Sequence, residues 1–354
     1  MTMDQSRIDV LRRLLDAPGP SGYEAAPAAV WRDEAAAFGA EVTRDVTGNS
    51  YARVGSPDGP TVVIAGHIDE IGFVITHIDP EGFLWFAPIG GWDDQIVVGQ
   101  RLRIAGHAGA VIGVIGKKAA HLLEKADREQ PTQIRDMWID IGANDRADAK
   151  RHVEVGDSAV IDSAFMQLTE DRCVARSMDN RVGAFVALEA ARLLSQDAPK
   201  ANVFAVATAQ EETSFAGAFT ATFQVTAQVA IAVDVTHTTD YPGADKKANG
   251  EVTIGGGPVL SRGASVTPAV YEGLKSAAGA INLPYQIQAS GRTSGTDADA
   301  MVRSGAGIAS GIVSIPNRYM HSPNELISLS DLDRAARLIE AFVRSIDLDS
   351  DFRP

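Results

Sequence analysis

The chain has 354 residues, 45% hydrophobic and 22% charged, an ordinary globular composition in a chain too long for one hydrophobic core. Its 32 basic and 46 acidic residues leave a net charge of −14, which argues against a nucleic-acid or anionic-membrane surface. The single cysteine, Cys173, excludes an intrachain disulfide framework and fits a reducing compartment. The charged, amphipathic N-terminal stretch lacks a signal peptide's apolar core, and no apolar run reaches membrane-spanning length, so a cytoplasmic protein is expected.

Ile8, Leu11, Leu14 and Leu15 recur at helical spacing, which predicts a helix over Asp4–Asp16; Pro18-Gly19-Pro20-Ser21-Gly22 stops it, and a second helical pattern covers Tyr23–Gly39. Val42–Val54 reads as a hairpin about Thr47-Gly48-Asn49, and Thr61–Ala65 as a buried strand running into Gly66-His67-Ile68-Asp69-Glu70-Ile71-Gly72. From Phe73 to about Leu168 short β-type runs alternate with Gly, Asp and Pro, the texture of a small all-β barrel or sandwich. An α/β pattern then returns. It predicts a helix over Asn180–Ser195, strands over Ala201–Ala209 and Gln228–Val233 (the latter ending at Asp234), and a helix over Thr267–Ile281. Strands over Tyr285–Ala289 and Ile308–Ile315 follow, and a last helix is capped by Ser330. The simplest architecture is an α/β domain of residues 1–71 and 169–354, interrupted by a β domain of residues 72–168.

Glu211 and Glu212 directly follow the apolar run Ala201–Ala209, at a strand's carboxyl end, where open α/β sheets hold ligands. Alone, such a pair reads as an acidic solvated turn. His67 and Asp69 follow another strand, Asp179 precedes a helix, Asp234 ends a third strand, and His321 lies just past a fourth. Singly each has an ordinary explanation as a cap or a satisfied polar group. Together, two imidazoles and several carboxylates at strand ends suit zinc, cobalt or manganese and point to a metallohydrolase. Cys173 reads as a small buried hydrophobe, and His77, His107 and His152 as structural. Gly255-Gly256-Gly257-Pro258 reads as a turn, and Thr296 and Asp297 as helix caps, with support of the site's ligands as a further option. His121 and His237 are weaker candidates for substrate contact, and Arg292 and Arg318 are only near site segments in sequence.

The segments Gly66–Gly72, Met178-Asp179-Asn180-Arg181-Val182-Gly183, Gln210-Glu211-Glu212, Val233-Asp234, Gly295-Thr296-Asp297 and Arg318-Tyr319-Met320-His321-Ser322 together resemble the M42 family of metallo-aminopeptidases. That resemblance covers nearly the whole chain. It implies a mixed central sheet flanked by helices, of zinc-peptidase type, with the inserted β barrel as dimerisation domain. It implies two divalent ions, zinc or cobalt with manganese as a further option. Asp179 would bridge both, His67 and Asp234 complete one, and Glu212 and His321 the other. Glu211 would be the general base on a metal-bridging water, and Asp69 would accept a hydrogen bond from His67 and orient it. It further implies peptide substrates entered from the N-terminus, dimers assembling into a tetrahedral dodecamer, and a cis peptide after Asp179. Asn180 departs from the Asp-Asp found in many members, which leaves the ligand set in place but alters local charge. A co-catalytic deacylase or carboxypeptidase would use almost the same residues, and a non-catalytic assembly protein is a third reading.

Overall fold

The computed structural model describes residues 3–122, 124 and 130–353. An eight-stranded sheet forms the centre, in the order β1-β2-β12-β3-β13-β16-β14-β15. Its strands are β1 (Glu41–Arg44), β2 (Ser50–Gly55), β3 (Thr61–His67), β12 (Asn202–Thr208), β13 (Val229–His237), β14 (Val259–Gly263), β15 (Gln286–Ser290) and β16 (Ala309–Asn317). The middle four, β12, β3, β13 and β16, run parallel and are apolar almost throughout because both faces are covered. On one face lie the helices Gln5–Asp16, Met178–Ser195, Pro268–Ala280 and Leu329–Arg344, sharing the largest core with Trp31, whose indole donates to the carbonyl of Ala184 at 2.9 Å. On the other face Ala216–Val225 and Ala298–Met301 close a smaller core around Ala65, Ala232 and Ile312.

The sequence from Gly72 to Ile161 supplies a closed barrel with its own core, in the order β4-β5-β8-β7-β6-β9. These strands are β4 (Gly72–Ile78), β5 (Leu84–Ile89), β6 (Arg101–Gly106), β7 (Gly109–Gly116), β8 (Trp138–Asp140) and β9 (Ser158–Ile161). The choice between barrel and sandwich is thus resolved as a barrel, sealed where β9 pairs with both β4 and β6. A three-stranded sheet of β10 (Met166–Gln167), β11 (Arg172–Ala175) and β17 (Glu325–Ser328) links the return of the chain to the last helix. Among the described residues no helix is long and apolar enough to cross a membrane.

Several boundaries differ from those the sequence predicts, each for a tertiary reason. The β13 strand does not end at Asp234 but runs three residues further, because β16 pairs with it from Val229↔Ala309 to His237↔Asn317. The last helix begins at Leu329, not after Ser330: the Asp171 carboxylate accepts from the Ser330 amide at 2.9 Å and its carbonyl from the Leu329 amide. A side chain from 159 residues away therefore does the capping. The strand β14 and the helix Ala216–Val225 carry no clear periodicity in sequence and form through burial in the sheet and against it. The Gly255–Gly257 turn is as expected, and the Asp331 carboxylate gathers the Gly255 and Gly257 amides at 2.7 and 2.9 Å.

Candidate active site

The parallel strands deliver their carboxyl ends to one edge. His67 closes β3 opposite Thr208, the last residue of β12. Beyond Thr208 the chain turns sharply, with Gln210 at φ 59°, and places Glu211 and Glu212 in the first turn of a four-residue helix. Asp234 sits inside β13 beside Ser314 of β16, and His321, at φ 58°, lies in the loop after β16. Asp179 opens the helix Met178–Ser195 through a non-helical step, and the Asp179–Asn180 peptide is cis, as the family resemblance implies.

All six residues meet. One carboxylate stands between two imidazoles: Asp179 Oδ1 is 3.2 Å from His67 Nε2, and Asp179 Oδ2 is 3.1 Å from His321 Nε2. Glu212 Oε1 lies 3.5 Å from His321 Nε2, and Glu211 Oε2 lies 3.7 Å from His67 Nε2. Donor atoms of His67, Asp179 and Asp234 fall within 4.8 Å of one another, as do those of Asp179, Glu212 and His321, so two triads share Asp179. A third set, His67 with Glu211 and Glu212, meets the same limit, so spacing alone does not separate the roles of the two glutamates. Asp69 packs behind His67, with Oδ1 3.3 Å from Nδ1. It also has a function the sequence did not suggest. Its two oxygens accept from the Glu211 and Glu212 amides at 3.2 and 3.1 Å, tying the acid pair to the histidine.

Charge crowding is the dominant electrostatic fact. Burial, with Asp234, Asp297 and Asp179 nearby, pushes Glu211 up to about 10. Asp234 is driven well up by burial and by Asp179 and Asp297, and Glu212 is raised by burial and by Asp179. Burial also opposes ionisation of Asp179, but the bonds from His321 and His67 win and hold it below the usual carboxylate range. Burial would lower His321, yet Asp179 and Glu212 carry it to about 11. These carboxylates need cationic partners. Glu212 Oε1 is buried with no hydrogen-bond partner in the protein, an orphan that a divalent ion would satisfy, and the mixed imidazole–carboxylate set is chemically suited to one.

Several supporting contacts escaped the sequence reading. Glu325 is buried, and its carboxylate accepts from the Asp179 amide at 2.8 Å and the His321 amide at 2.7 Å, bracing both flanks of the shared carboxylate. Its only sequence signal is its place four residues beyond His321. Asp297 occupies the N-cap position of Ala298–Met301, but the capping side chain is that of Thr296, whose Oγ1 accepts from the Ala298 amide, while the buried Asp297 carboxylate accepts from Thr208 Oγ1 at 2.5 Å. Burial pushes it up to about 6. Glu70 is held between Arg176 and the fully buried Arg181, which also binds the Leu14 and Ile68 carbonyls at 2.9 and 3.0 Å. The barrel contributes too. An added Cβ at Gly91 would stand 3.3 Å from His321 Nδ1, and one at Gly90 would stand 3.3 Å from Glu212 Oε2.

The site opens into a cavity of about 480 Å³ whose wall includes Gly91, Glu211, Glu212, Thr236, His237 and His321. His237 thus reaches the cavity, whereas His121 stands exposed on the short turn Ala120–Leu122, outside that wall. Arg318 is engaged by Asp240 at 2.6 Å. Cys173 is buried in β11, and burial pushes its thiol up to about 12.

Comparison with known proteins places these observations in a family. Lysyl aminopeptidase of Pyrococcus furiosus is 32% identical over 353 residues, covering 98% of this chain and 99% of that protein. The TET aminopeptidase of Thaumarchaeota archaeon SCGC AB-539-E09 superposes with a TM-score of 0.93 at 32% identity over 98% of each chain. The Pyrococcus horikoshii TET1 peptidase, which can assemble into a tetrahedron or a large octahedral shell, superposes with a TM-score of 0.85 at 30% identity, over 96% of this chain and all of that one. A model of the M42 glutamyl aminopeptidase family matches residues 48–338, and the chain belongs to this M42 family of metal-dependent aminopeptidases.

Proposed function

We propose that the protein is a two-metal aminopeptidase in which His67 and Asp234 hold one divalent ion, Glu212 and His321 the other, and Asp179 both. The observation that carries this reading is the Asp179 carboxylate, whose two oxygens each face a different imidazole while Glu212 Oε1 lies buried beside them without a hydrogen bond. Zinc, cobalt and manganese all suit this donor set, with zinc or cobalt preferred. Such ions, when bound, polarise the scissile carbonyl and make water acidic enough to attack at neutral pH.

The chain's own groups do the rest. Glu211, buried beside His67, takes the proton as water oxygen attacks the carbonyl carbon. It then returns that proton to the nitrogen as the C–N bond breaks, releasing the N-terminal residue and the shortened peptide. Asp69 fixes the ring of His67 through Nδ1 and, through the amides of Glu211 and Glu212, keeps base and ligand at constant separation. Glu211 lies beside His67 and Glu212 beside His321, which supports different roles for the two acids.

The family context supports self-association. The TET1 relative builds closed shells, and the barrel of this chain exposes Ile112 and Val114 on its outer face, as a dimerisation surface would. Dimers assembling into a tetrahedral dodecamer would admit unfolded peptides and exclude folded proteins. The one cysteine, free and buried, fits work in the reducing cytoplasm.

Purified protein loaded with zinc, cobalt or manganese is expected to hydrolyse aminoacyl p-nitroanilides, to lose that activity to a chelator, and to leave N-acyl amino acids intact. Activity confined to the N-acyl series would overturn the aminopeptidase reading in favour of a deacylase or carboxypeptidase.

A further inference from the structure

The turn that carries the acid pair is held by side chains from distant parts of the chain. Four successive backbone amides, those of Ala209, Gln210, Glu211 and Glu212, each donate to a side-chain oxygen, at 3.0, 3.2, 3.2 and 3.1 Å. Asn49 accepts the first, Glu24 the second and Asp69 the last two. Asn49 is fully buried and also donates to the Gly217 carbonyl at 3.0 Å, so it fixes both ends of the segment 209–217. Asp69 stands behind His67. Between these two holds lies the Gln210 amide, served by a carboxylate 186 residues earlier in the chain.

Of these four residues only Gln210 has a left-handed backbone, with φ 59°. A side chain at such a φ is disfavoured and stays there where its surroundings hold it. The reversal at Gln210 turns the chain so that Glu211 points at His67. If it relaxed, the peptide plane before Glu211 would rotate and carry the carboxylate away. Glu24 is placed to prevent this. It occupies the N-cap position of the helix Ala25–Ala37, yet its side chain makes no capping bond with that helix. Instead the buried carboxylate turns back, and Oε1 accepts from the Gly22 amide at 2.6 Å as well as from Gln210. The same segment grips the turn a second time, with Ser21 Oγ 2.9 Å from Thr213 Oγ1. It is itself tied to the inserted unit, where the Tyr23 hydroxyl donates to the Gly156 carbonyl at 2.7 Å.

We propose that Glu24 is a positioning residue for the general base: by holding the Gln210 amide it maintains the left-handed reversal that directs Glu211 towards His67 and the attacking water. The inference rests on the reading of Glu211 as base and adds the residue that aims it. Glu24 acts through the backbone, so what it must supply is a hydrogen-bond acceptor and not a charge. Glutamine keeps that acceptor, and alanine removes it. Glycine at position 210 adopts the left-handed backbone without steric cost and makes the hold dispensable.

The test compares Glu24→Gln, Glu24→Ala, Gln210→Gly and the double variant Glu24→Ala/Gln210→Gly on aminoacyl p-nitroanilides. Metal content, melting temperature and amide hydrogen exchange in peptides spanning 208–215 are measured on each. Glu24→Ala is expected to lower kcat by about tenfold at near-native KM and native metal content, and to speed exchange in that segment. Glu24→Gln should recover most of the loss in both readouts. In the Gln210→Gly background, removal of Glu24 should cost less than about threefold in kcat. Equal losses in Glu24→Ala and Glu24→Gln, a tenfold loss that persists in the glycine background, or a loss confined to KM or metal content overturns the proposal. If exchange responds as expected while Glu211→Gln turns over at the native rate, the hold by Glu24 stands and the assignment of Glu211 as base falls.

Discussion

Glu211 and Glu212 are chain neighbours in one helical turn, yet their surroundings differ. The first faces His67 and the second faces His321, and both amides are anchored on Asp69. If the first moves the proton and the second holds an ion, their neutral isosteres must fail differently. Glu211→Gln is expected to keep its metal and lose turnover by about a hundredfold or more. Glu212→Gln should instead lose metal, with activity recovering as metal is added in excess. Metal analysis and single-turnover rates on both variants check this, and equal metal loss would refute the division. Asn180 is explained at the same scale. Its amide donates to the Val233 carbonyl at 2.7 Å and its oxygen accepts from the Gly183 amide at 3.1 Å. An ionised aspartate could make the second bond but not the first, so it is the carboxamide of Asn180 that stitches the helix start to β13 beside Asp234.

The helix Met178–Ser195 is the element that sets the centre, because its start carries Asp179 and its body lies against β3 and β13. It comes so close only because two glycines face it. A Cβ at Gly66 would stand 2.3 Å from the Gly183 carbonyl carbon, and one at Gly183 would stand 2.4 Å from the Val233 oxygen. Neither contact can relax without moving backbone. Gly183→Ala is therefore expected to destabilise the fold by about 1–3 kcal/mol and to weaken metal binding, since the helix must retreat and take Asp179 with it. Thermal melts and metal titration would register both effects, and a variant with native melting and native affinity would show the approach to be slack. Buried Arg181 holds the other side of the same helix start. Burial lowers it to about 10, still far above neutral pH, so its charge is permanent and Glu70 balances it.

At the scale of the whole molecule, the site concentrates protons where cations belong. In the metal-free protein Glu211 is raised to about 10 and His321 to about 11, and Glu212 and Asp234 are raised as well. A folded value above the unfolded one means that the folded state binds extra protons. Their stabilisation is complete below the unfolded values of 4.5 for Glu211 and 6.5 for His321 and is lost as pH rises towards about 10 and 11. Chelated protein is thus expected to melt at progressively lower temperature from about pH 6 to pH 9, while metal-loaded protein changes less and the gain from metal grows. Metal binding should also release protons, read as a calorimetric heat that changes between buffers of different ionisation enthalpy. A metal-induced shift in Tm that is flat in pH, with no buffer dependence, would contradict this account. The barrel segment belongs to the same picture, since Gly91 lines the cavity and Gly90 lies close to Glu212, which couples the inserted unit to the chemistry.

Much of this was legible in the chain itself. Apolar runs such as Val62–Ala65 and Val203–Ala207 specify buried parallel strands because a strand covered on both faces cannot afford polar residues. Short β-type runs between Gly72 and Ile161 specify the barrel by the same local logic. His67, Asp179, Glu211, Glu212, Asp234 and His321 could be singled out because each sits at or near the end of an element that its own neighbours define. What the sequence could not determine is whatever depends on approach between distant segments. Glu325 bracing Asp179, Asp171 capping the last helix, Asp297 bonded to Thr208 and Gly91 against His321 are all contacts across large sequence separations, with no periodicity to announce them. Local pattern sets which elements form, and only their packing decides which side chains share a cavity, as Gly91, Glu212, His237 and His321 do here.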